Sequence, residues 1–335
     1  MTLPREGDVA VDGDPADPYD RDRSGYSLAN NRELLFGCFE AAAATSVVEI
    51  GAEYGAFTRE LLAWARGRAK VIAVDPLPQQ SLLDLAAADP DLELVEQLSI
   101  PAFRSLPRLD AYVIDGDHNY YTVLNELRAI ADTAGDDPFP LVVFHDVCWP
   151  HARRDSYYAP EQIPEEFRQP LISDVHLTPW SEGSEDTGIP YLHVAAREGG
   201  PRNGVLTAIE DFLESRAVGG QGDDLRFARV PAFFGFAAMW PAAAPWADRI
   251  AALIEPLHEH PVLERLEGNR VVHLLERIRF GEELRKADTD RVARLEAELR
   301  RLRDSRAMAV AERLSALRGR GEPLVSRQRI DDALR

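Results

Sequence analysis

Cysteine is almost missing from this chain, with Cys38 and Cys148 the two among 335 residues. One falls in an expected helix and the other just after an expected strand, so a disulfide framework is excluded and both read as buried, inert thiols. Long apolar runs are missing as well. No stretch reaches the 18 consecutive apolar residues that a membrane-crossing helix needs. The first 23 residues, rich in Asp, Gly and Pro, hold no apolar core of a signal peptide. A cytoplasmic protein with no membrane partner is the expectation. Basic charge is in deficit: 38 Lys and Arg against 57 Asp and Glu leave a formal net charge of -19. Binding to a phosphate backbone needs a basic surface that releases counterions, so nucleic acid is excluded as the main partner. The acidity serves solubility.

What the chain does have is enough apolar content, 45% of its residues, to bury the core of one large domain with appendages. Residues 1–24 combine low hydrophobicity with high charge and are expected to be a flexible segment. Helical periodicity from about Leu28 to Ala44 leads into an expected strand at Ser46–Ile50. Further strands are expected at 70–74, 92–97, 111–114 and 141–144, with helices at 58–67, 82–88 and 123–134 between them. Strands alternating with helices imply a parallel sheet. Residues of about 148–190 lack long periodic segments but carry Trp149, Tyr157, Tyr158, Phe167 and Trp180, which suggests an ordered loop insertion beside the site. A strand at 191–196, a helix at 205–215 and a strand pair within 227–239 close the expected domain at 25–245. Residues 246–335 read as a helical extension. Val292, Leu295, Leu299 and Leu302 follow 3-4-3 spacing there, which suits either a short coiled coil that joins copies of the chain or a helix packed on its own domain.

Chemistry concentrates in two places. The first is Val47-Val48-Glu49-Ile50-Gly51-Ala52-Glu53-Tyr54-Gly55-Ala56-Phe57-Thr58, followed by Val71-Ile72-Ala73-Val74-Asp75. An apolar strand, a glycine turn, a helix start and a second strand ending in a carboxylate outline a nucleotide-type cofactor site. Gly51 and Gly55 bracket a turn where a side chain would obstruct close approach, and Asp75 stands at the spacing of an acceptor for a ribose diol. A dinucleotide turn reads G-x-G-x-x-G, and here Glu53 replaces the middle glycine, where it would repel a pyrophosphate.

The second place is Val113-Ile114-Asp115-Gly116-Asp117-His118-Asn119-Tyr120 together with Phe144-His145-Asp146-Val147. Both follow expected strands at the carboxyl end, where open α/β sheets bind ligands. If the two strands are neighbours, Asp115, His145 and Asp146 converge. Two carboxylates suit a hard divalent cation, with Mg²⁺ expected first, and the imidazole shifts preference toward a transition metal. Asp115 and Asp146 repel one another unless a cation or a proton separates them. Asp117 and His118 also suit the N-cap of the next helix, and a buried His145 bonded to backbone is the alternative to a ligand.

On these motifs the chain resembles the class I S-adenosylmethionine-dependent methyltransferases. Its E-x-G-x-x-x-G turn with Asp75 matches their first motif and following acid. The I-D-G-D-H and F-H-D segments are similar to the group that includes macrolide and macrocin sugar O-methyltransferases and cephalosporin-hydroxylase-like proteins. The resemblance implies a doubly wound, mostly parallel seven-stranded sheet completed by a terminal antiparallel hairpin. It implies S-adenosylmethionine at Glu49, Gly51, Ala52, Gly55 and Asp75, with Gln97 and Ser99 near its adenine. It further implies a divalent metal at Asp115 and Asp146, with His145 standing where many relatives have a carboxylate, and His118 as the base. The tail from Ser305 to Gly321 resembles the ends of some bacterial glycan-biosynthesis proteins.

The expected reaction is metal-assisted O-methylation of a hydroxyl on a small sugar, glycan or glycosylated natural product. A dication lowers the pKa of a bound hydroxyl, and a nearby imidazole then removes its proton as the methyl moves. Three rivals stay open: a nicotinamide dehydrogenase, which Glu53 disfavours; a metal-dependent hydroxylase, which would consume oxygen; and a noncatalytic scaffold in glycan biosynthesis.

Overall fold

The computed structural model describes residues 26–218, 225–317 and 326–334. The expected flexible segment 1–24, and residues 318–321 of the glycan-protein-like tail, lie outside them. The chain divides into two compact units, the first ending at Val272 and the second spanning His273–Arg335.

In chain order the first unit holds α1 (Arg32–Ala42), β1 (Ser46–Ile50), α2 (Ala56–Ala65), β2 (Lys70–Val74), α3 (Gln80–Ala88), β3 (Leu92–Val95), α4 (Ser99–Phe103), β4 (Ala111–Ile114), α5 (Tyr120–Ala134) and β5 (Leu141–His145). It continues through β6 (Leu171–Leu177), β7 (Ile189–Ala195), α6 (Val205–Arg216), β8 (Leu225–Val230), β9 (Phe236–Pro241) and α7 (Ala247–Ile254) into α8 (Pro261–Asp304). The second unit adds α9 (Arg306–Leu317) and α10 (Arg327–Ala333). No helix among the described residues is long and apolar enough to cross a membrane.

Seven strands form one sheet in the order β3-β2-β1-β4-β5-β9-β8. The first five run parallel, and β9 and β8 complete the sheet as an antiparallel pair. This is the doubly wound, Rossmann-like sheet of the class I methyltransferase fold with its terminal hairpin. The central strands read as unbroken apolar runs because both their faces are covered. Val47, Val71, Val113 and Val143 face α1, α2 and α7 through Leu35, Phe39, Leu61 and Ile250. Val48, Ile72, Tyr112 and Phe144 face α5 and α6 through Val123, Leu127, Ile209 and Phe212.

Two departures from the sequence pattern occur. Residues 148–190 are not all loop: β6 pairs antiparallel with β7 as a separate two-stranded sheet, so the strand expected at 191–196 does not join the main one. β6 gave little periodic signal because only Val175 and Leu177 in it are buried and Asp174 interrupts it at φ +52°. The short α4, with a proline in its first turn, was likewise hidden, and it takes up Ser99.

Register positions the site. Ile50 lies opposite both Val74 and Ile114, and Ile114 lies opposite Phe144. The next residues, Gly51, Asp75, Asp115 and His145, therefore form one row across the carboxyl ends of four neighbouring strands. Gly51 permits this row to close. Its φ is +86°, and a Cβ there would lie 2.3 Å from the Asp115 carbonyl oxygen. The close approach that the glycine serves is thus to the backbone of the β4 tip as well as to any ligand. Gly51→Ala is expected to cost about 3 kcal/mol or more, whereas Gly135→Ala, at φ +57° with nothing within 4 Å, should cost about 1 kcal/mol. Thermal melts of the two variants check this; equal losses would show that the β1–β4 approach is not tight.

Candidate functional site

The β1 turn is held by the acid that follows β2. Asp75 Oδ2 accepts from the Glu53 N–H and Oδ1 from the Leu77 N–H, both at 2.8 Å. Asp75 therefore clamps the glycine turn, and each oxygen keeps one lone pair for a ligand hydroxyl. Glu53 and Gly55 adopt φ +43° and +73°, which turns the chain into α2. Ala52 is buried under the turn. Glu49 does not face solvent: Thr58 Oγ1 donates to its Oε2 at 2.7 Å. Burial pushes its carboxyl up to about 8, against the lowering effect of Thr58, and Asp115 and Asp75 raise it further.

Gln97 is exposed just beyond β3, while Ser99 is buried as the first residue of α4. Behind α4 lies a group that sequence reasoning missed. Glu126 of α5 is 1% exposed, and neither carboxyl oxygen has an aligned hydrogen bond among the described residues. Burial pushes it up to about 8, and the neighbouring Ser99 lowers it. Its mid-helix position offers no sequence signal.

This end of the site suits S-adenosylmethionine better than a dinucleotide. Acids of the turn, β2 and β4 line it (Glu53, Asp75 and Asp115), and a pyrophosphate would meet repulsion where a sulfonium and an amino group meet attraction.

At the other end Asp115, His118, His145 and Asp146 come together as expected. His145 Nδ1 lies 3.1 Å from Asp115 Oδ1 and 3.6 Å from Asp146 Oδ2. His118 Nε2 lies 2.9 Å from Asp146 Oδ2 and 3.5 Å from Asp115 Oδ1. The His118 contacts have ion-pair distances without hydrogen-bond alignment. His145 is also the backbone-bonded histidine of the alternative reading, since its Nε2–H donates to the Phe233 carbonyl at 2.9 Å. That bond settles which nitrogen carries the proton in the neutral ring and aims the Nδ1 lone pair at two carboxylates. Only a second proton or a cation makes that arrangement favourable, and a metal-binding histidine commonly donates its other N–H to a carbonyl.

Burial alone would raise both Asp115 and Asp146, but the imidazoles of His145 and His118 outweigh it and hold the carboxyls below the usual range. Burial alone would lower the histidines; the carboxylates outweigh it, lifting His145 to about 9 and His118 well above its ordinary value. Without a metal, His145 is thus an imidazolium at neutral pH, and the carboxylates shift His118 in the same direction.

The carbonyl that orients His145 sits in a strained turn. Phe233, Phe234 and Gly235 between β8 and β9 all have positive φ, at 52°, 65° and 99°. Glu267 of α8 accepts from the N–H groups of Phe233 and Phe234 at 2.9 and 2.8 Å, and Arg270 both bonds Glu267 and lies over the Phe234 ring. Nothing in the local sequence tied Glu267 to the site.

The insertion supplies one residue to the site and anchors the rest. His151 stacks on His118 with ring centres 4.9 Å apart and meets Tyr191 edge-on at 5.1 Å. It joins His118 and Asp146 in a cluster whose donor atoms lie within 4.8 Å of one another. Burial and His118 push it down to about 3, so its ring is neutral. Arg153, Arg154 and Tyr157 instead hold the insertion: Arg153 pairs with Glu210, Arg154 donates to the carbonyls of Ala195 and Glu182, and Tyr157 donates to Asp155. Asp155 Oδ1 accepts from the N–H groups of Tyr120 and Gly204, tying the starts of α5 and α6 together. The N-cap of α5 is Asn119 and neither Asp117 nor His118; Asp117 accepts from Thr122, Asn119 and the Tyr158 N–H.

Residues 48–147, which contain both motif regions, match the model of a family described as a methyltransferase domain. No curated protein matches the chain. Among solved structures, a candidate O-methyltransferase from Klebsiella pneumoniae is 16% identical, covering 66% of this chain and 84% of its own, with a TM-score of 0.40. A candidate caffeoyl-CoA O-methyltransferase from Staphylococcus aureus is 11% identical over 67% of this chain and 95% of its own, TM-score 0.39. The O-methyltransferase TomG from Streptomyces achromogenes, solved with S-adenosylmethionine, is 12% identical over 64% and 82%, TM-score 0.38.

The shifted groups give a pH dependence with a definite sign. His145 is raised from 6.5 to about 9, so its contribution to stability is complete below pH 6.5 and lost as pH rises through about 9. Glu49, raised from 4.5 to about 8, acts in the same direction. Chelator-treated protein should lose on the order of 5–10 °C in Tm between pH 6.5 and 9, and His145→Asn should lose the part of that slope that Glu49 and His118 do not supply. A flat wild-type profile by differential scanning calorimetry would contradict the imidazolium–carboxylate pairing.

Proposed function

From the premise that the chain carries a methyltransferase domain on a class I sheet, we propose that it moves a methyl group from S-adenosylmethionine to a hydroxyl of a small polyhydroxylated acceptor such as a sugar, a glycan or a glycosylated natural product. The observation that carries this reading is the single row formed by Gly51, Asp75, Asp115 and His145. It sets an acid-lined cofactor turn directly beside a carboxylate–imidazole cluster.

Bound S-adenosylmethionine supplies an already activated methyl group on a cationic sulfur. A divalent cation held by Asp115, Asp146 and His145 supplies a Lewis acid that lowers the pKa of an acceptor hydroxyl. The protein does the rest. Gly51, Ala52 and Gly55 shape the turn, and Asp75 holds it while keeping lone pairs for the ribose. Glu49 stiffens the turn from below through Thr58, and Gln97 and Ser99 stand at the adenine end. With a cation between Asp115 and Asp146 in place of the proton that those carboxylates otherwise hold on His118, Nε2 is free to accept the hydroxyl proton. Most of the rate is expected from alignment of oxygen, methyl carbon and sulfur.

The acceptor class draws support from the insertion. Tyr158 and Trp180 expose 65% and 62% of their surface there, and aromatic faces suit the apolar faces of sugar rings. Self-association through α8 draws support from its apolar stripe, of which Val292, Leu295 and Leu302 are exposed. The imidazoles of the cluster favour one second reading, a metal-dependent hydroxylase. It would consume oxygen without needing S-adenosylmethionine.

Calorimetric titration and a labelled-methyl assay over a panel of hydroxylated sugars test the proposal. Asp75→Ala should weaken S-adenosylmethionine binding about tenfold or more. His118→Ala should leave cofactor binding within about threefold while lowering turnover by ~10²–10⁴-fold. A wild-type protein that binds no S-adenosylmethionine, or a His118→Ala variant with undiminished turnover, would defeat it.

A further inference from the structure

We propose that the centre at the tips of β4 and β5 takes a borderline first-row transition ion, such as Mn²⁺, Fe²⁺, Co²⁺ or Zn²⁺, in preference to Mg²⁺, and that His151 supplies it with a second imidazole beside His145. This rests on the reading above only in so far as a cation is held at Asp115 and Asp146; it does not depend on methyl transfer.

The first argument is the fixed ring of His145. Its Nε2–H is committed to the Phe233 carbonyl, so the other nitrogen faces Asp115 Oδ1 at 3.1 Å and Asp146 Oδ2 at 3.6 Å. Donors bound to one ion at about 2.1 Å stand roughly 3.0–3.5 Å from one another, so these spacings are close to the edges of a coordination polyhedron. His145 is 2% exposed and its ring orientation is braced by the Glu267-held turn, which makes it a built donor rather than a mobile surface group.

The second argument is independent and comes from the insertion. His151 is 4% exposed, and its Nδ1 has no hydrogen-bond partner among the described residues. Its ring is pinned between His118 and Tyr191, and a ring nitrogen lies within 4.8 Å of the donor atoms of His118 and Asp146. A buried imidazole nitrogen without a partner costs free energy that coordination would recover. Asp146 belongs to both donor clusters and is the link through which an ion held at Asp115 and His145 would reach His151.

The chemistry of the donors then selects the ion. Mg²⁺ keeps oxygen ligands and water and dehydrates reluctantly, whereas imidazole nitrogen suits Mn²⁺ through Zn²⁺ increasingly well.

The test is electron spin-echo spectroscopy on the full chain, stripped with chelator and reloaded with Mn²⁺, with Mg²⁺ competition followed by calorimetry. Imidazole ¹⁴N couplings are expected in the wild type, diminished in His145→Asp and separately in His151→Gln. Mn²⁺ should outbind Mg²⁺ by ~100-fold, and His145→Asp should bring that ratio to ~10-fold or less. Bound Mn²⁺ without nitrogen couplings, a wild-type ratio near ~10-fold, or couplings unchanged in His151→Gln would overturn the proposal. The wild-type spectrum decides the first two points whether or not the variants fold. S-adenosylmethionine binding on the same samples separates the readings: cofactor bound without nitrogen couplings removes this inference alone, and nitrogen couplings without cofactor binding remove methyl transfer alone.

Discussion

Two carboxylates, Asp115 and Asp146, are forced together at the ends of neighbouring parallel strands, and the groups that face them are imidazoles. Two partly buried acids repel one another unless a cation, a proton or a basic side chain stands between them. Much of the surrounding structure follows from that constraint. Asp146 leaves β5 at φ +57°, which lets its side chain turn back toward Asp115. The Phe233 carbonyl fixes His145, and Glu267 fixes the turn that presents the carbonyl. His151 closes the cluster from the insertion and shields it against the ring of Tyr191. The strain in the β8–β9 turn, about 1–3 kcal/mol for each residue at positive φ, is offset by charge-assisted bonds to Glu267. Removing either acid would leave imidazoles raised for a partner that no longer exists.

The same row of strand ends carries a second electrostatic arrangement, and the two are complementary. Around the β1 turn burial, with Asp115 and Asp75 adding to it, pushes Glu49 toward its neutral form, and Asp75 is occupied by backbone N–H groups. Such a surface repels phosphate and accepts a cation. One end of the row thus suits a positively charged methyl donor, and the other groups donors that could hold a cation. Gly51 sets the spacing between them, since the β1 and β4 tips touch through the space its missing side chain leaves.

Much of this was legible in the sequence because the physics is local. The central strands announce themselves as Val- and Ile-rich runs, since a sheet covered on both faces has no polar positions to spare. The turn is readable from Gly51, Gly55 and Asp75, and the convergence of Asp115 with His145 and Asp146 needs only that β4 and β5 be neighbours. What stayed hidden depends on long-range packing. Glu267 reaches the site from a helix more than 100 residues beyond Asp146, and the His151 ring is set against His118 by Tyr191 of β7, 40 residues further along the chain. Asn119 outcompeted Asp117 for the cap of α5 because Asp117 is needed to hold the Tyr158 backbone. Arg153, Arg154 and Tyr157 have their partners within the fold, which their residue types alone do not show.

The central claim is that Asp115 and Asp146 share one cation. Anomalous diffraction from crystals soaked in Mn²⁺ tests it most directly. The account predicts a single strong peak bonded to an oxygen of each carboxylate at about 2.2 Å, with a nitrogen of His145 in the same sphere. A cluster with no peak at saturating metal, its imidazolium–carboxylate contacts unchanged, would contradict it.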